Sequence, residues 1–181
     1  PAMILADGTI GQMMEKVVLP AARPRLTPAQ VEERAPWAAN GTMRHRMEKN
    51  RITSLELDPA VMEAKNQDRE NRYAKAEREC VRYEEIMTDD SDIILVAFGS
   101  SARVCTKAVE MARAEGLKMG LLRPITLWPF PKEALSKAAS RAKAMLVVEL
   151  NAGQMIDDVR LAVDGRIPVE HFGRLGSGVI L

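Results

Sequence analysis

Hydrophobic positions in the second half of the chain come in short apolar runs separated by stretches of helical period. Ile93 to Phe98 is continuous, and Met119 to Leu122 and Ala144 to Leu150 are nearly so. Such runs mark strands covered on both faces, as in parallel sheets. Between them, Gly99-Ser100-Ser101 turns into a helix from Ala102 to Glu115, which Gly116 closes as a C-terminal cap. Pro131 to Ala139 and Gln154 to Val163 read as two further helices, and Val169 to Phe172 as a fourth, shorter strand. Gly173, Gly176 and Gly178 make the tail a loop. Strands alternating with helices predict an α/β fold of three layers, α/β/α, around a mostly parallel sheet with crossover helices.

The first half is less regular. Met3 to Ala6 has the rhythm of a short buried strand ending at the Asp7-Gly8 turn. Ile10 to Val18 reads as a short helix or an irregular exit segment. Pro20, Pro24, Pro28, Pro36 and Pro59, with Gly41, make an extended connector that excludes long helices. Arg51 to Leu57 offers one edge strand. Asp58-Pro59 is a helix start, an N-cap acceptor before proline at the first helical position. The helix is expected from about Ala60 to Met87, with Tyr73, Ala76, Cys80, Tyr83 and Met87 on one apolar stripe. Its other faces are densely charged and solvated, and the stripe is expected to meet the following domain or a partner subunit. Residues 21–90 thus read as a connector with the helix at about 60–87, and 91–181 as a compact domain, while residues 1–20 stand apart from both. The chain opens in strand rhythm without an initiator methionine, which predicts a fragment cut close to a domain boundary.

Composition narrows the class. The chain has 181 residues, 46% hydrophobic, with aromatics at 4%, so the core rests on aliphatic side chains and on 11 methionines. A formal charge of +1 gives no basic stripe and implies no nucleic acid. Cys80 and Cys105, with His45 and His171, offer neither metal-ligand spacing nor an iron–sulfur run. Reduced thiols fit a cytoplasmic protein. No apolar run approaches the roughly 20 residues that span a membrane, and no signal peptide pattern is visible.

Candidate chemistry gathers at the carboxyl ends of the predicted strands. Arg123-Pro124-Ile125-Thr126-Leu127-Trp128-Pro129-Phe130-Pro131 carries three prolines, which specify one rigid path. Gly99-Ser100-Ser101 could cradle phosphate at a helix N-terminus; the plainer alternative is a tight turn whose serine caps the helix. Arg123 and Glu149 are expected at the ends of adjacent strands, where open sheets place ligands. They could bind a ligand there or form a structural ion pair, with Glu149 also accepting from the Asn151–Gly153 turn. His171 is a lone histidine of core or interface type, and Trp128 and Phe130 are expected to plug a hydrophobic seam at a subunit or domain interface.

Taken in order, Val96-Ala97-Phe98-Gly99-Ser100, Glu115-Gly116-Leu117, Arg123-Pro124-Ile125-Thr126-Leu127-x-Pro129 and Val147-Val148-Glu149 are similar to the C-terminal domain of the transketolase and pyruvate dehydrogenase class. The Pro129-Phe130-Pro131 ending and Val148-Glu149-Leu150-Asn151-Ala152-Gly153-Gln154-Met155 resemble the α subunit of the 2-oxoacid:ferredoxin oxidoreductases. Met3 to Glu15 looks like the end of the preceding domain of that subunit, most like the branched-chain, 2-oxoisovalerate type. One stretch departs: Ser54-Leu55-Glu56-Leu57-Asp58-Pro59 lacks the Gly-x-Glu-His pattern of the family connector. The resemblance implies oxidative decarboxylation of a 2-oxoacid to its acyl-coenzyme A, with electrons passing through iron–sulfur clusters to ferredoxin. Thiamine diphosphate with Mg would do the hard chemistry, held between the missing first domain and a β subunit. It also implies β, γ and δ partner subunits. This fragment would bind no cofactor and carry no catalytic, cofactor-binding or metal-binding residue. Its expected role is scaffolding and subunit assembly. Pyruvate or 2-oxoglutarate as substrate stays open, as does a stand-alone Rossmann-like ligand-binding module.

Overall fold

The computed structural model describes residues 2–6, 8–14, 16–42 and 47–175. Asp7, His45, Gly176 and Gly178 lie outside the described residues. Two compact units are present, Glu15–Asn71 and a larger one made of Pro1–Met14 with Arg72–Leu181.

The larger unit is built on a five-stranded sheet in the order β1-β3-β2-β4-β5. The strands are β1 (Tyr83–Ile86), β2 (Ile93–Val96), β3 (Met119–Pro124), β4 (Ala144–Glu149) and β5 (Val169–Gly173). β2 pairs in parallel with β3 and β4, and β4 with β5. Only β1 is antiparallel, running against β3. The chain leaves central β2 toward one edge, then returns past it to build the other. Crossovers of one hand must then put the first helix on the opposite face from the next two. That is the arrangement observed. α4 (Gly99–Ala114) covers Leu95, Ala97, Leu121 and Val148 through Ala102, Cys105 and Val109. α5 (Lys132–Ala139) and α6 (Met155–Val163) cover Ile94, Val96, Leu122, Met145 and Val147 through Leu135, Ala138, Val159 and Val163. Consecutive residues of β2 thus face opposite helix layers, so the strand has no polar position to spare.

Local chemistry sets the boundaries. α4 ends in a pair of capping bonds, the Leu117 N–H to the Ala112 carbonyl and the Gly116 N–H to the Arg113 carbonyl, with Gly116 at φ 85°. This left-handed C-terminal cap is the one expected of Gly116. Gly120 is required for another reason. A Cβ there would sit 2.6 Å from the Met87 carbonyl oxygen and from Ser91 Oγ. The loop it packs against is tied by Arg113, whose guanidinium donates to both Asp90 carboxylate oxygens (2.7 and 2.9 Å) and to the Met87 carbonyl (2.7 Å).

Several expectations fail in the first half. The long helix, α3 (Pro59–Glu79), starts as predicted, with Asp58 Oδ1 accepting the Ala60 and Val61 N–H groups at 2.9 and 3.2 Å. It stops at Glu79 rather than Met87, and none of its residues is buried. Tyr83 belongs to β1, and Met87 follows that strand at φ 53°. Edge position and a solvated outer face let β1 carry Glu84 and Glu85, which disguises it as the polar face of a helix. Met3 to Ala6 and Arg51 to Leu57 form no strand, since neither finds a ladder partner. Among the described residues of Ile10 to Val18, the helical ones are those within α1 (Gly8–Gln12). In the smaller unit, α2 (Pro28–Arg34) is closed by a reciprocal cap between Thr27 and Gln30.

Candidate functional site

Strand order fixes where a site could form. β2 is the point at which the direction of winding reverses, so the loops after β2 and β4 diverge and leave a crevice at the carboxyl edge of the sheet. Phe98, Gly99, Ser100 and Ser101 from the first loop and Leu150 and Asn151 from the second line a cleft of about 320 Å³. Leu5, Ala6 and Ile10 of the N-terminal segment line the same cleft. Ile10 reaches so close that a Cβ on Gly99 would lie 3.7 Å from its Cδ1. Gly99 sits at φ 58°, a backbone setting that favours glycine. The serines are not the helix cap; α4 begins at Gly99 with Phe98 as its N-cap and no side-chain capping bond. Helix geometry simply starts one turn earlier than the apolar period suggests, which draws Ser101 into the core.

A smaller pocket of about 140 Å³ adjoins it, lined by Phe98, Leu127, Phe130, Glu149, Asn151, Gln154, Met155 and Asp158. Glu149 ends β4 and is 1% exposed. Its carboxylate is saturated by the protein. Oε1 accepts the N–H groups of Gln154 (3.2 Å) and Ile156 (3.1 Å). Oε2 accepts the Met155 N–H (2.9 Å) and Asn151 Nδ2 (3.0 Å). Asn151 Oδ1 in turn accepts the Gly153 N–H at 2.7 Å. The start of α6 would otherwise be an anion site, because its free N–H groups and dipole favour negative charge. Here the chain fills that site with its own carboxylate. His171 Nε2 lies 3.8 Å from Glu149 Oε1, without a hydrogen-bond partner, and its ring packs over Gly153.

Arg123 and Glu149 are not on adjacent strands, contrary to expectation. β2 lies between their strands. Arg123 instead donates to Glu84 at 2.9 Å, its register partner across the β1–β3 ladder. Glu149 does accept from the Asn151–Gly153 turn as expected, through Asn151 Nδ2, and its further bonds come from the start of α6. The proline loop divides. Phe130 is 9% exposed and packs into the core of its own unit rather than into a subunit or domain seam. Trp128 is 57% exposed and stacks edge-on against Tyr73 with ring centroids 5.4 Å apart. Thr126 pins the loop, its Oγ1 accepting the Arg82 N–H at 2.9 Å. That link was hidden in the sequence because β1 itself was.

The donors at this edge do not fit a diphosphate, a divalent cation or an iron–sulfur cluster. No basic side chain lines either pocket among the described residues. No group of three His, Cys, Asp or Glu gathers there or elsewhere among them. Cys105 is buried, and desolvation pushes its thiol up to about 11, the reverse of what a thiolate ligand needs.

Residues 91–180 match the family described as pyruvate:ferredoxin oxidoreductase core domain II. Over nearly its whole length (99%), the chain is 42% identical to ketoisovalerate oxidoreductase subunit VorB of Methanothermobacter marburgensis. The chain belongs to the 2-oxoacid:ferredoxin oxidoreductase family. It spans 49% of the length of that relative. A second member, 2-oxoglutarate synthase subunit KorA of Archaeoglobus fulgidus, is 30% identical, with 97% of this chain and 49% of the relative covered. Among solved structures, the 2-oxoglutarate:ferredoxin oxidoreductase of Magnetococcus marinus superposes with a TM-score of 0.55 at 22% identity, covering 71% of this chain and 22% of that one. This likeness shows the shared fold. Membership in the 2-oxoacid:ferredoxin oxidoreductases agrees with the resemblance carried by the Arg123–Pro131 and Val148–Met155 runs.

Proposed function

We propose that this chain is the assembly domain of the α subunit of a thiamine-diphosphate-dependent 2-oxoacid:ferredoxin oxidoreductase. The observation that carries the proposal is that the chain's own residues take up the ligand positions at this edge, Glu149 above all. In other open α/β sheets this edge receives a ligand; here Glu149 occupies the α6 N-terminus and Leu5, Ala6 and Ile10 line the β2–β4 cleft. In this reading residues 1–20 are the end of the preceding thiamine-binding domain, 21–90 connect, and 91–181 form the transketolase C-terminal-like domain. Thiamine diphosphate with Mg and the iron–sulfur clusters belong to other parts of a cytoplasmic hetero-oligomer with β, γ and δ subunits. Coenzyme A and ferredoxin are met by the whole complex. The higher identity to a ketoisovalerate oxidoreductase subunit than to the 2-oxoglutarate synthase subunit supports a branched-chain 2-oxoacid as substrate.

Calorimetry tests the placement. Thiamine diphosphate with Mg²⁺ is titrated into this chain alone and into the longer α chain co-expressed with its β partner. Binding by the larger assembly alone is the expected result. Tight binding by the isolated chain overturns the assembly role, and binding by neither overturns the thiamine dependence.

A further inference from the structure

The two edges of the sheet differ in kind. β1 presents Glu84 and Glu85 side by side, and self-pairing there would oppose like charges. β5 is the other edge and pairs only with β4 among the described residues. Its backbone orientation is fixed by two bonds to neighbouring β4: the Met145 N–H donates to the Pro168 carbonyl, and the Arg174 N–H to the Glu149 carbonyl. Even-numbered residues of β5 therefore turn their backbone groups inward. The groups of Val169, His171 and Gly173 turn outward, and the Val169 carbonyl is met there by Arg160 Nη2 at 3.4 Å.

Side chains on this edge are self-complementary. Glu170, Phe172 and Arg174 alternate along one face and are all exposed. An antiparallel copy related by a two-fold axis through Phe172 places Phe172 opposite itself. Glu170 of each copy then meets Arg174 of the other. In the same register His171 and Gly173 form hydrogen-bonded pairs and Phe172 a non-hydrogen-bonded pair, as the outward groups demand. Shifting the axis to Glu170 opposes two carboxylates, and shifting it to Arg174 opposes two guanidinium groups. An axis through His171 or Gly173 leaves no opposite-charge pair. Charge, ladder geometry and two-fold symmetry thus select one register.

From this we infer that β5 is a homotypic interface, through which a second copy of this chain extends the sheet across a two-fold axis at Phe172. The inference is independent of the assembly role proposed above.

Sedimentation equilibrium of the chain over a concentration series tests it, with Glu170→Arg, Arg174→Glu and the double swap. Both positions are exposed, and far-UV circular dichroism checks that each variant keeps the fold. The chain itself is expected to dimerise reversibly. Each single reversal turns two attractive pairs into two repulsive ones and should weaken the dimer about tenfold or more. The double swap restores opposite charges and should recover association to within roughly threefold of the original. A chain monomeric at every concentration overturns the inference. So does a dimer indifferent to Glu170→Arg, or a double swap no better than the single reversals.

Discussion

Replacing Glu149 with Gln removes a charge while keeping size and shape, which isolates the carboxylate at the start of α6. Each oxygen accepts two bonds, Oε1 from Gln154 and Ile156 and Oε2 from Met155 and Asn151. Whichever oxygen becomes an amide group, two donors then face a third. A buried donor left unsatisfied costs about 1–3 kcal/mol. Asn151 can turn its amide elsewhere, and loss of the buried charge returns part of the cost. The expected destabilisation is about 3 kcal/mol, a large share of the roughly 5–15 kcal/mol that holds a domain. Urea unfolding followed by far-UV circular dichroism reads this as a midpoint lower by about 1–2 M at an unchanged slope. Asp157→Asn is the control. It removes an exposed acid from the same helical turn and should cost no more than about 1 kcal/mol. Equal midpoints for Glu149→Gln and the original chain would refute the idea that this carboxylate satisfies the helix.

Three further outcomes are expected. Gly120→Ala drives a Cβ to within 2.6 Å of the Met87 carbonyl oxygen and should lower stability by about 1–3 kcal/mol in thermal unfolding. The Arg113 guanidinium holds the Asp90 carboxyl below its ordinary value of 3.8. A depressed carboxyl stabilises the fold above its unfolded pKa and loses that contribution as pH falls through the folded one. The stability gap between the chain and Arg113→Met should therefore hold steady above 3.8 and shrink as pH is lowered below it, and a gap independent of pH refutes the linkage. Lastly, a thiol reagent at neutral pH should modify Cys80 at once and Cys105 only on unfolding, since Cys80 is exposed and Cys105 buried. Prompt modification of both, counted by mass spectrometry, would contradict the packing of Cys105 between α4 and the sheet.

Strands buried on both faces were legible because nothing polar can enter them: Ile94 to Ala97 alternate between two helix layers and so read as one apolar run. Gly116 was legible because a left-handed cap leaves few alternatives to glycine. β1 was not, because an edge strand with one solvated side has the composition of a charged helix, and Tyr83 and Met87 happened to continue the period of α3. The partner of Arg123 was missed for the same reason, since Glu84 sits on that hidden strand. The importance of Glu149 was half visible. Its place at a strand end could be read, but its bonds to Gln154, Met155 and Ile156 depend on how tightly the turn folds back. α2 carried a readable signal in Thr27-Pro28-Ala29-Gln30, obscured by the prolines around it.

Reversal of winding at β2 also has a consequence for synthesis from the ribosome. The half-sheet of β1, β2 and β3, with α4 across it, is complete before β4 has been made. One side of Ile94, Val96 and Leu122 then stays bare until α5 and α6 emerge, and the free flank of β2 stays open until β4 pairs with it. The centre of the finished sheet is thus the sticky margin of the nascent one, and the interval before Ala144 appears is when this chain most needs protection from its neighbours.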